Sequence, residues 1–545
     1  MSDTAPTVLI AGAGPTGLMA ALELARFQIP VRIIDKLQEP AATSRAIGVQ
    51  ARTLELLEMR GLADQLVQRG VPASGGDVHG GGKRVAHLDF RRVDSRYNYV
   101  LFVPQTETER ILREALQPSR VKVEFGVELA ALKQDDSSIT AILHHKDGGN
   151  EEVHASYLID AEGAHSIVRA TLGLGFQGKT FDQNYLLADL FADSELSGTD
   201  FHIFSSEHGF LALFPMGNRR FRLIADRPIN ASQSESPSLD ECQAIYDQRS
   251  YIPARLHDMQ WSSYFRINSR MVSRLRVGRV FFGGDAAHIH SPAGAQGMNT
   301  GMQDMINLGW KLAYVTQGYA ARPLLDTYET DRLPVIRTVL RGTEGLTDLV
   351  ASANPLVRAI FNHVTPLIAG TDFGQENAAA AFSQLAINYH GSPLSADNSL
   401  RRGIRAGDRL PDVPVKVVAS SSSTRDLRDG QTARLLDVLD PSRFTLLYAT
   451  GAASRAHLGR LEDLFRGWSG HPSQIQFLQI TEPQNGDREP YVQTFHESGQ
   501  PLVYLIRPDG YVAYRGHEGA SDLLDAYIKR WLVGRQPAFA GGSSA

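Results

Sequence analysis

The sequence predicts an α/β protein in which a mostly parallel sheet is interleaved with a mostly antiparallel sheet and is followed by a smaller α/β domain. Three observations predict this fold class. Residues 7–35 have the pattern strand, glycine turn, helix and strand, residues 180–270 hold many short alternating segments, and a new strand–helix pattern begins after a turn-rich break at 403–414. A strand–helix–strand order is typical of parallel sheets, whereas period-two alternation is typical of antiparallel strands.

The composition indicates a globular protein of several units and excludes some kinds of site. The chain has 545 residues, of which 42% are hydrophobic and 21% are charged. This length predicts about three to four structural units. The single cysteine, Cys242, excludes internal disulfides, multi-cysteine zinc sites, iron–sulfur clusters and CxxC redox pairs. A formal net charge of −5 disfavours nucleic acid as a partner.

The N-terminal unit carries the glycine pattern Gly12-x-Gly14-x-x-Gly17 between its first strand and its helix. Gly12 allows a tight turn, Gly14 lets a pyrophosphate approach the backbone, and Gly17 lets the helix pack on the strand. Asp35 ends the second strand, where an acid accepts hydrogen bonds from a ribose. The pattern therefore predicts a dinucleotide site, although it does not by itself separate NAD from FAD.

A second glycine-rich segment, residues 279–301, follows another buried strand. Asp285 comes at the carboxyl end of that strand, which is the usual ligand position in open α/β sheets. The loop 292–297 then leads into a helix that is expected to begin near Met298. A helix N-terminus directed at a ligand suits a group that becomes anionic during turnover, as reduced flavin does.

Three motifs together resemble those of the FAD-dependent aromatic hydroxylases, the class A flavoprotein monooxygenases of the para-hydroxybenzoate hydroxylase type. They are the glycine pattern at 12–17, YLIDAEGAHSIVR at 157–169, which is similar to the family's Asp-Gly motif, and GDAAHIHSP at 284–292, which is similar to its Gly-Asp motif. The resemblance implies a Rossmann-like FAD-binding domain interleaved with a substrate-domain sheet. The length and the α/β tail resemble the phenol hydroxylase and polyketide hydroxylase branch, whose members carry a C-terminal thioredoxin-like domain.

In that family NAD(P)H reduces FAD, O2 forms a flavin C4a-hydroperoxide, and the distal oxygen is transferred to an electron-rich ring. The resemblance therefore implies an FAD-dependent monooxygenase that hydroxylates a phenolic or polyketide-type aromatic substrate, with NADPH or NADH as electron donor and O2 as co-substrate. Two alternatives stay open. One is a Baeyer–Villiger or epoxidising monooxygenase of the same fold, and the other is a non-catalytic dinucleotide-binding regulator.

The residues expected to bind the cofactor come from several parts of the chain. The resemblance places Asp35 at the adenosine ribose and Asp285 at the ribityl chain. The full set is Gly12, Gly14, Pro15, Thr16, Gly17, Asp35, Lys36, Arg45, Gln105, Glu162, Gly163, Asp285, Gly297, Met298 and Asn299. One residue departs from the family pattern, because Glu162 stands where the family has aspartate, and the extra methylene extends the carboxylate by about 1.5 Å.

Candidate catalytic and substrate-binding residues are fewer. Pro292 and Gly294 are expected beside the reactive edge of the flavin, and Arg222 is a further catalytic candidate. The candidates for substrate binding belong to the middle sheet and are His202, Phe210, Phe214 and Tyr264. No metal site is expected, because His288 and His290 lie two residues apart without a carboxylate that would complete a ligand set.

The expected boundaries are 1–178 and 270–395 for the FAD-binding domain with its helical extension, 179–269 for the substrate sheet, 401–535 for the thioredoxin-like domain and 536–545 for a disordered tail. Residues 401–535 contain no cysteine, so thiol exchange is excluded there and a scaffold or a homodimer contact is the expected role. No leader and no run of about 18 apolar residues is visible, which predicts a cytoplasmic protein without a membrane segment.

Overall fold

The computed structural model describes most of the chain. The described residues are 7–43, 46–227, 236–291, 294–350, 371, 379, 382–399, 403–420, 430–450, 474–483, 488–495, 502–517 and 521–532. Arg45, Pro292 and the expected tail 536–545 lie outside these residues.

The first sheet has six strands and is parallel apart from one antiparallel edge strand. In spatial order its strands are Arg276–Val277, Val280–Phe282, Tyr157–Asp160, Val8–Ala11, Val31–Asp35 and Val123–Phe125. The central strand Val8–Ala11 is buried at every residue, as is typical of a parallel sheet with both faces covered. The helix Pro15–Arg26 packs against the helices Gln105–Leu116 and Gly297–Thr316.

The second sheet has eight strands, and all but one of its strand pairs are antiparallel. In spatial order the strands are His288–Ile289, Ala254–Val272, Phe176–Ser194, Arg220–Arg227, Gly209–Pro215, Phe201–Ser206, Gly75–Gly80 and Lys83–Asp89. The predicted mixed α/β fold class is therefore confirmed. The sheet also includes residues 75–89, which precede the range 179–269 in the sequence.

Strand alternation gives the eight-stranded sheet two different faces. On one face Leu186, Leu213 and Leu223 form a core with Cys242, which lies on the helix Leu239–Arg249. Residues of the opposite parity, such as Leu187 and Ile224, point to the other face. The two faces are therefore lined by different residues.

The C-terminal part forms a seven-stranded mixed sheet. Its strands are Ala396–Asp397, Val512–His517, Leu502–Ile506, Phe444–Thr450, Ile475–Thr481, Pro414–Ser420 and Thr432–Arg434 in spatial order. The helices Arg488–Phe495 and Ser521–Trp531 belong to the same part. The chain's one cysteine, Cys242, lies elsewhere, so this sheet cannot carry a dithiol.

Smaller elements complete the described structure. Two three-stranded sheets consist of Val127–Gln134, Ile139–His145 and Asn150–Ala155, and of Gly48–Val49, Val100–Phe102 and Val71–Ala73. The remaining α-helices are Ala51–Glu58, Ala63–Val67, Ile167–Thr171 and Asp326–Val350. None of the helices formed by the described residues is long and apolar enough to cross a membrane.

A buried ion network joins the C-terminal sheet to the rest of the molecule. Asp331 Oδ2 lies 2.7 Å from Lys311 Nζ and 2.8 Å from an Arg507 guanidinium nitrogen, and all three side chains are buried. Asn307 donates hydrogen bonds to Asp331 and to Asp509. Lys311 lies on the helix Gly297–Thr316, Asp331 lies on the helix Asp326–Val350, and Arg507 follows a strand of the C-terminal sheet. The Asp331 carboxylate therefore compensates one cation from the first helix and one from the C-terminal sheet.

We predict that Asp331→Asn lowers the free energy of unfolding by about 3–5 kcal/mol, because removal of one partner leaves buried cations without compensation. Urea denaturation followed by tryptophan fluorescence measures this change. Asp326→Asn is the matched control, since Asp326 forms its ion pair with Arg276 while its side chain is 71% exposed. The control is expected to cost about 1 kcal/mol or less, and equal losses in the two variants would contradict the prediction.

Candidate active site

A cavity of about 910 Å³ extends from the carboxyl ends of the six-stranded sheet to one face of the eight-stranded sheet. Most of the residues predicted to bind the cofactor line it. They are Gly12, Gly14, Pro15, Thr16, Asp35, Lys36, Gln105, Glu162, Gly163, Asp285, Gly297 and Met298. The sheet contributes an apolar wall formed by Leu187, Phe214, Ile224, Phe265 and Ile267.

The three glycines of the N-terminal turn serve different purposes. Gly12 has a φ of +97°, and a Cβ there would lie 2.2 Å from the carbonyl oxygen of Ala161. A Cβ on Gly17 would lie 1.9 Å from the carbonyl oxygen of Gly12. At Gly14, by contrast, a Cβ would meet nothing within 4 Å, and its φ of −70° is open to any residue. The protein's own packing therefore requires Gly12 and Gly17, whereas Gly14 keeps space free in the cavity.

Asp35 fixes the shape of this turn. Its Oδ2 accepts a hydrogen bond from the backbone N–H of Ala13 at 2.7 Å, and its Oδ1 accepts one from Leu37 at 2.8 Å. Each carboxylate oxygen has a second lone pair, so these contacts leave acceptor capacity on the cavity side. Asp35 can therefore hold the turn and bind a ribose hydroxyl at the same time.

The segment that contains Glu162 has two coupled carboxyl groups. Asp160 is buried, and it accepts hydrogen bonds from the Ser166 hydroxyl at 2.5 Å and from the Glu162 backbone N–H at 3.1 Å. Glu162 Oε2 accepts hydrogen bonds from the N–H groups of Ile167 and Val168, at the start of a helix. Burial, with the neighbouring Glu162 charge, raises the pKa of Asp160 to about 7, and burial also raises the pKa of Glu162.

The loop that precedes the helix Gly297–Thr316 is held by side chains that do not line the cavity. Asn299 accepts a hydrogen bond from the Gln50 backbone N–H at 2.9 Å, and it donates to the carbonyls of Gly48 and Ala295. The Gln50 side chain donates to the carbonyl of Gly294 at 2.7 Å. Asn299 and Gly294 are therefore placed in the framework of the site rather than in the cavity wall.

A buried acid holds the strand end that carries Asp285. Asp304 Oδ2 lies 2.7 Å from His288 Nε2 and accepts a hydrogen bond from the Gly284 N–H at 3.2 Å. Its Oδ1 accepts a hydrogen bond from Arg332 at 2.7 Å. These contacts explain why His288 does not reach the cavity, and sequence analysis missed Asp304 and Arg332 because they follow His288 by 16 and 44 residues.

Similarity to known protein families shows which family this chain belongs to. A family model described as an FAD binding domain matches residues 5–343, and a model described as the C-terminal part of aromatic-ring hydroxylases matches residues 404–534. The first match covers more than half of the chain. The chain belongs to the FAD-dependent aromatic-ring hydroxylases. It is therefore a flavoprotein monooxygenase, with O2 as the source of the oxygen atom, and it acts on aromatic compounds.

Individual relatives agree with this family over nearly the full chain. The hydroxylase is 35% identical to the 6-methylpretetramide 4-monooxygenase of Streptomyces rimosus, over 99% of this chain and 96% of that protein. It is 33% identical to the pentachlorophenol 4-monooxygenase of Sphingobium chlorophenolicum, over 96% of each chain. The solved structure of the anhydrotetracycline hydroxylase OxyS from Streptomyces rimosus superposes with a TM-score of 0.76 at 29% identity, over 98% of this chain and 100% of that chain.

The residues of the hydroxylase's cavity fit FAD. The helices Pro15–Arg26 and Gly297–Thr316 both begin at the cavity, and neither has a side-chain cap on its first N–H groups. Uncapped helix N-termini bind anionic groups such as phosphates. Together with the open space at Gly14, they provide one site for a pyrophosphate and a second site for a polarisable ring edge.

Two substrate candidates of the hydroxylase lie on the wrong face of the eight-stranded sheet. Tyr264 pairs with Leu186, packs against the core on that face, and donates a hydrogen bond to Glu241 at 2.6 Å. His202 pairs with Leu213 of the same core. Strand parity sends both side chains away from the cavity, so their assignment to the substrate site was wrong.

Two other candidates point to the correct face but stop short of the cavity. Arg222 is buried in a bidentate ion pair with Asp189, at 2.7 and 2.9 Å, and its charge is therefore already compensated. Phe210 packs in an aromatic cluster beside Phe214, which does line the cavity. The sequence analysis did not predict Leu187 as a cavity residue. Alternation along its strand places it on the face opposite to Leu186, which is the face that lines the cavity.

We predict that Gly14→Val weakens FAD binding tenfold or more, because the added carbons occupy space that a pyrophosphate needs, an effect of at least about 1.4 kcal/mol. Fluorescence titration of the apoprotein with FAD measures the dissociation constant. Gly198→Val is the matched control, since a Cβ at Gly198 also meets nothing within 4 Å and Gly198 does not line the cavity. Unchanged FAD affinity in Gly14→Val would contradict the assignment of the turn.

We predict that Asp160 makes the hydroxylase less stable as the pH rises from about 4 to about 7. Because the pKa of Asp160 is raised to about 7 in the folded state, the folded protein binds a proton there that the unfolded chain has lost. The contribution is roughly 4 kcal/mol across this window. Asp160→Asn should therefore show a flatter dependence of the free energy of unfolding on pH, whereas Asp326→Asn should keep the wild-type slope. Identical slopes in wild type and Asp160→Asn would contradict this prediction.

Proposed function

We propose that the hydroxylase takes electrons from NADPH or NADH and transfers one oxygen atom of O2 to an electron-rich ring of a polycyclic phenolic substrate of polyketide type. The observation that carries this proposal is the continuity of the cavity, which runs from the glycine turn to the apolar wall of the eight-stranded sheet. Relatives named for 6-methylpretetramide and for anhydrotetracycline support a polycyclic substrate.

The wall supports an aromatic substrate in two ways. Phe214, Phe265 and Ile224 present a largely apolar surface, against which a flat ring buries area that is otherwise in contact with water. Arg266 and Arg270 line the same cavity and offer N–H donors to carbonyl or phenolate oxygens. This combination suits a large ring system that carries several oxygen atoms better than it suits a small hydrocarbon.

The positions of the residues along the cavity suggest which part of FAD each of them binds. When bound, FAD supplies the redox chemistry that links the electron donor to O2. We assign the pyrophosphate to the turn at Gly14 and the start of the helix Pro15–Arg26, and the ribose to Asp35. Asp285 and the backbone of Gly297 and Met298 are assigned to the flavin end. These residues bind and orient the cofactor, while the apolar wall excludes water.

His290 is proposed to accept a hydrogen bond from the substrate. It lines the cavity, and its Nδ1–H donates to the carbonyl of Ser291 at 2.8 Å. That contact leaves a lone pair on Nε2, which is buried without a hydrogen-bond partner among the described residues, so a small rotation of the ring must accompany its contact with a substrate. Burial lowers the pKa of His290 to about 4, so the ring is neutral at pH 7 and its Nε2 can orient a phenolic hydroxyl.

A screen of phenolic and quinonoid polycyclic compounds tests the proposal. The FAD-loaded protein should consume NADPH or NADH faster in the presence of a substrate, and 18O2 should label a new ring hydroxyl. A labelled lactone or epoxide would favour the Baeyer–Villiger or epoxidising alternative. Failure of every compound to stimulate consumption would contradict the proposed polycyclic phenolic substrate class. The expected homodimer and cytoplasmic location stay predictions of the sequence.

We predict that His290→Gln lowers kcat/KM for a phenolic substrate about tenfold, because one hydrogen bond to the substrate is worth about 1.4 kcal/mol. Steady-state kinetics of product formation measure this change, and FAD affinity should stay at the wild-type value. His208→Gln is the control, since His208 is exposed and does not line the cavity. A wild-type kcat/KM in His290→Gln would exclude this role.

A further inference from the structure

A second cluster of polar residues lies in the eight-stranded sheet, away from the cofactor cavity. Asp77 and His79 are two residues apart on the strand Gly75–Gly80, so they share one face. His202 is the register partner of Asp77 on the parallel strand Phe201–Ser206. Each of the three side chains offers one possible ligand atom, and these atoms lie within 4.8 Å of one another. None of the three lines the cofactor cavity.

The hydrogen bonds of His202 leave a lone pair directed at a carboxylate. His202 Nε2 lies 3.1 Å from the carbonyl oxygen of Ser197, which can only accept, so Nε2 carries the proton. Nδ1 then holds the lone pair of the neutral ring, and it lies 3.9 Å from Asp77 Oδ2. His202 is 1% exposed, and Nδ1 has no hydrogen-bond partner among the described residues. A cation bound between the lone pair of the buried His202 and the half-buried carboxylate of Asp77 would satisfy both acceptors.

His79 offers a second ligand nitrogen. Its Nε2 is buried and has no hydrogen-bond partner in the described part of the chain, and His79 is 3% exposed. Its Nδ1 lies 3.0 Å from the hydroxyl of Tyr251. With a proton on Nδ1, which can be donated to the Tyr251 hydroxyl, the Nε2 lone pair of the neutral His79 ring can act as a ligand.

Further contacts orient the three side chains in the way that is typical of metal sites. A ligating histidine usually donates its other ring N–H to a nearby oxygen, as His202 does to Ser197 and as His79 can to Tyr251. Asp77 Oδ1 lies 2.8 Å from His87 Nδ1 and 3.3 Å from Arg84 Nη1. These contacts fix Asp77 through Oδ1 and leave Oδ2 on the side of His202.

We propose that Asp77, His79 and His202 bind a divalent transition-metal ion, with Zn²⁺ as the representative. Two imidazole nitrogens and one carboxylate are ligands that Zn²⁺ prefers, at about 2.0–2.2 Å each. The ligand atoms must move closer by rotation of their side chains, since they span up to 4.8 Å without an ion. A cavity of about 460 Å³ lies beside the cluster, with His79 in its wall.

The metal would have a structural role. Asp77 and His79 belong to the hairpin of residues 75–89, whereas His202 belongs to the next strand, so the ion links the hairpin to the sheet. The proposal departs from the sequence-based expectation that no metal site exists. That expectation considered residues close together in the sequence, but His202 lies more than a hundred residues after Asp77 and His79.

Metal titration of the FAD-loaded protein tests the proposal. The protein is treated with EDTA, dialysed and titrated with Zn²⁺ by calorimetry, and Co²⁺ absorption reports the ligand geometry. The wild type should bind about one equivalent and should gain thermal stability with Zn²⁺. Asp77→Asn and His202→Gln should each weaken binding about tenfold or more and abolish the shift in Tm.

The control is His257→Gln, because His257 lies beside the carboxylates of Asp193 and Asp258 at the surface of the same sheet and could bind Zn²⁺ adventitiously. It should keep the wild-type equivalent and affinity. Retention of FAD shows that each variant is folded. If His202→Gln fails this check, the nearly isosteric Asp77→Asn decides the result. Equal Zn²⁺ affinity in wild type and Asp77→Asn, or loss of the bound equivalent in His257→Gln, would overturn the proposal.

Discussion

Charged and amide side chains on the buried helix Gly297–Thr316 bind partners on elements far apart in the sequence, and these contacts organise the molecule. Asn299 binds the backbone at Gly48 and Gln50, and Asp304 binds His288 and Arg332. Further along the helix, Lys311 pairs with Asp331, which also accepts a hydrogen bond from Arg507 of the C-terminal sheet. An unpaired charge in this environment costs several kcal/mol, so the cofactor loop, the long helix and the C-terminal sheet are held in one relative arrangement.

This arrangement gives the C-terminal sheet a role without redox chemistry. Trp310 and Tyr314 of the same helix pack against Phe444, with ring centroids 5.3 and 5.8 Å away. The helix Gly297–Thr316 therefore begins at the cavity and ends in the core of the C-terminal sheet. Since the cavity needs the first turn of this helix in a fixed position, the sheet supports the site through packing and ion pairs at the other end.

Local sequence patterns predicted the parts of the site that depend on local geometry. Gly12, Gly14 and Asp35 lie within one strand–turn–helix–strand unit, so their spacing alone places them at one cavity. Tyr264 and His202 were misplaced because a single-residue error of strand parity moves a side chain to the opposite face. The contacts of Asp304 with His288 and Arg332 could not be predicted, because the sequence pattern does not show which charged side chains of different helices and strands pack together. The fold class was easier to predict than these contacts, because the strand and helix periodicities that indicate it repeat over many residues.

The parity of the eight-stranded sheet also has a consequence for substrate choice. Leu187 and Ile224 face the cavity, whereas their neighbours Leu186 and Leu223 form the core with the helix Leu239–Arg249. Because alternate residues face opposite ways, a change in the cavity wall leaves the packing of the other face intact. Substitutions in the cavity wall can therefore change the shape of the cavity without changing the core on the other face. The cofactor residues have no such freedom, because the turn at Gly12 and Gly17 is closed by backbone contacts.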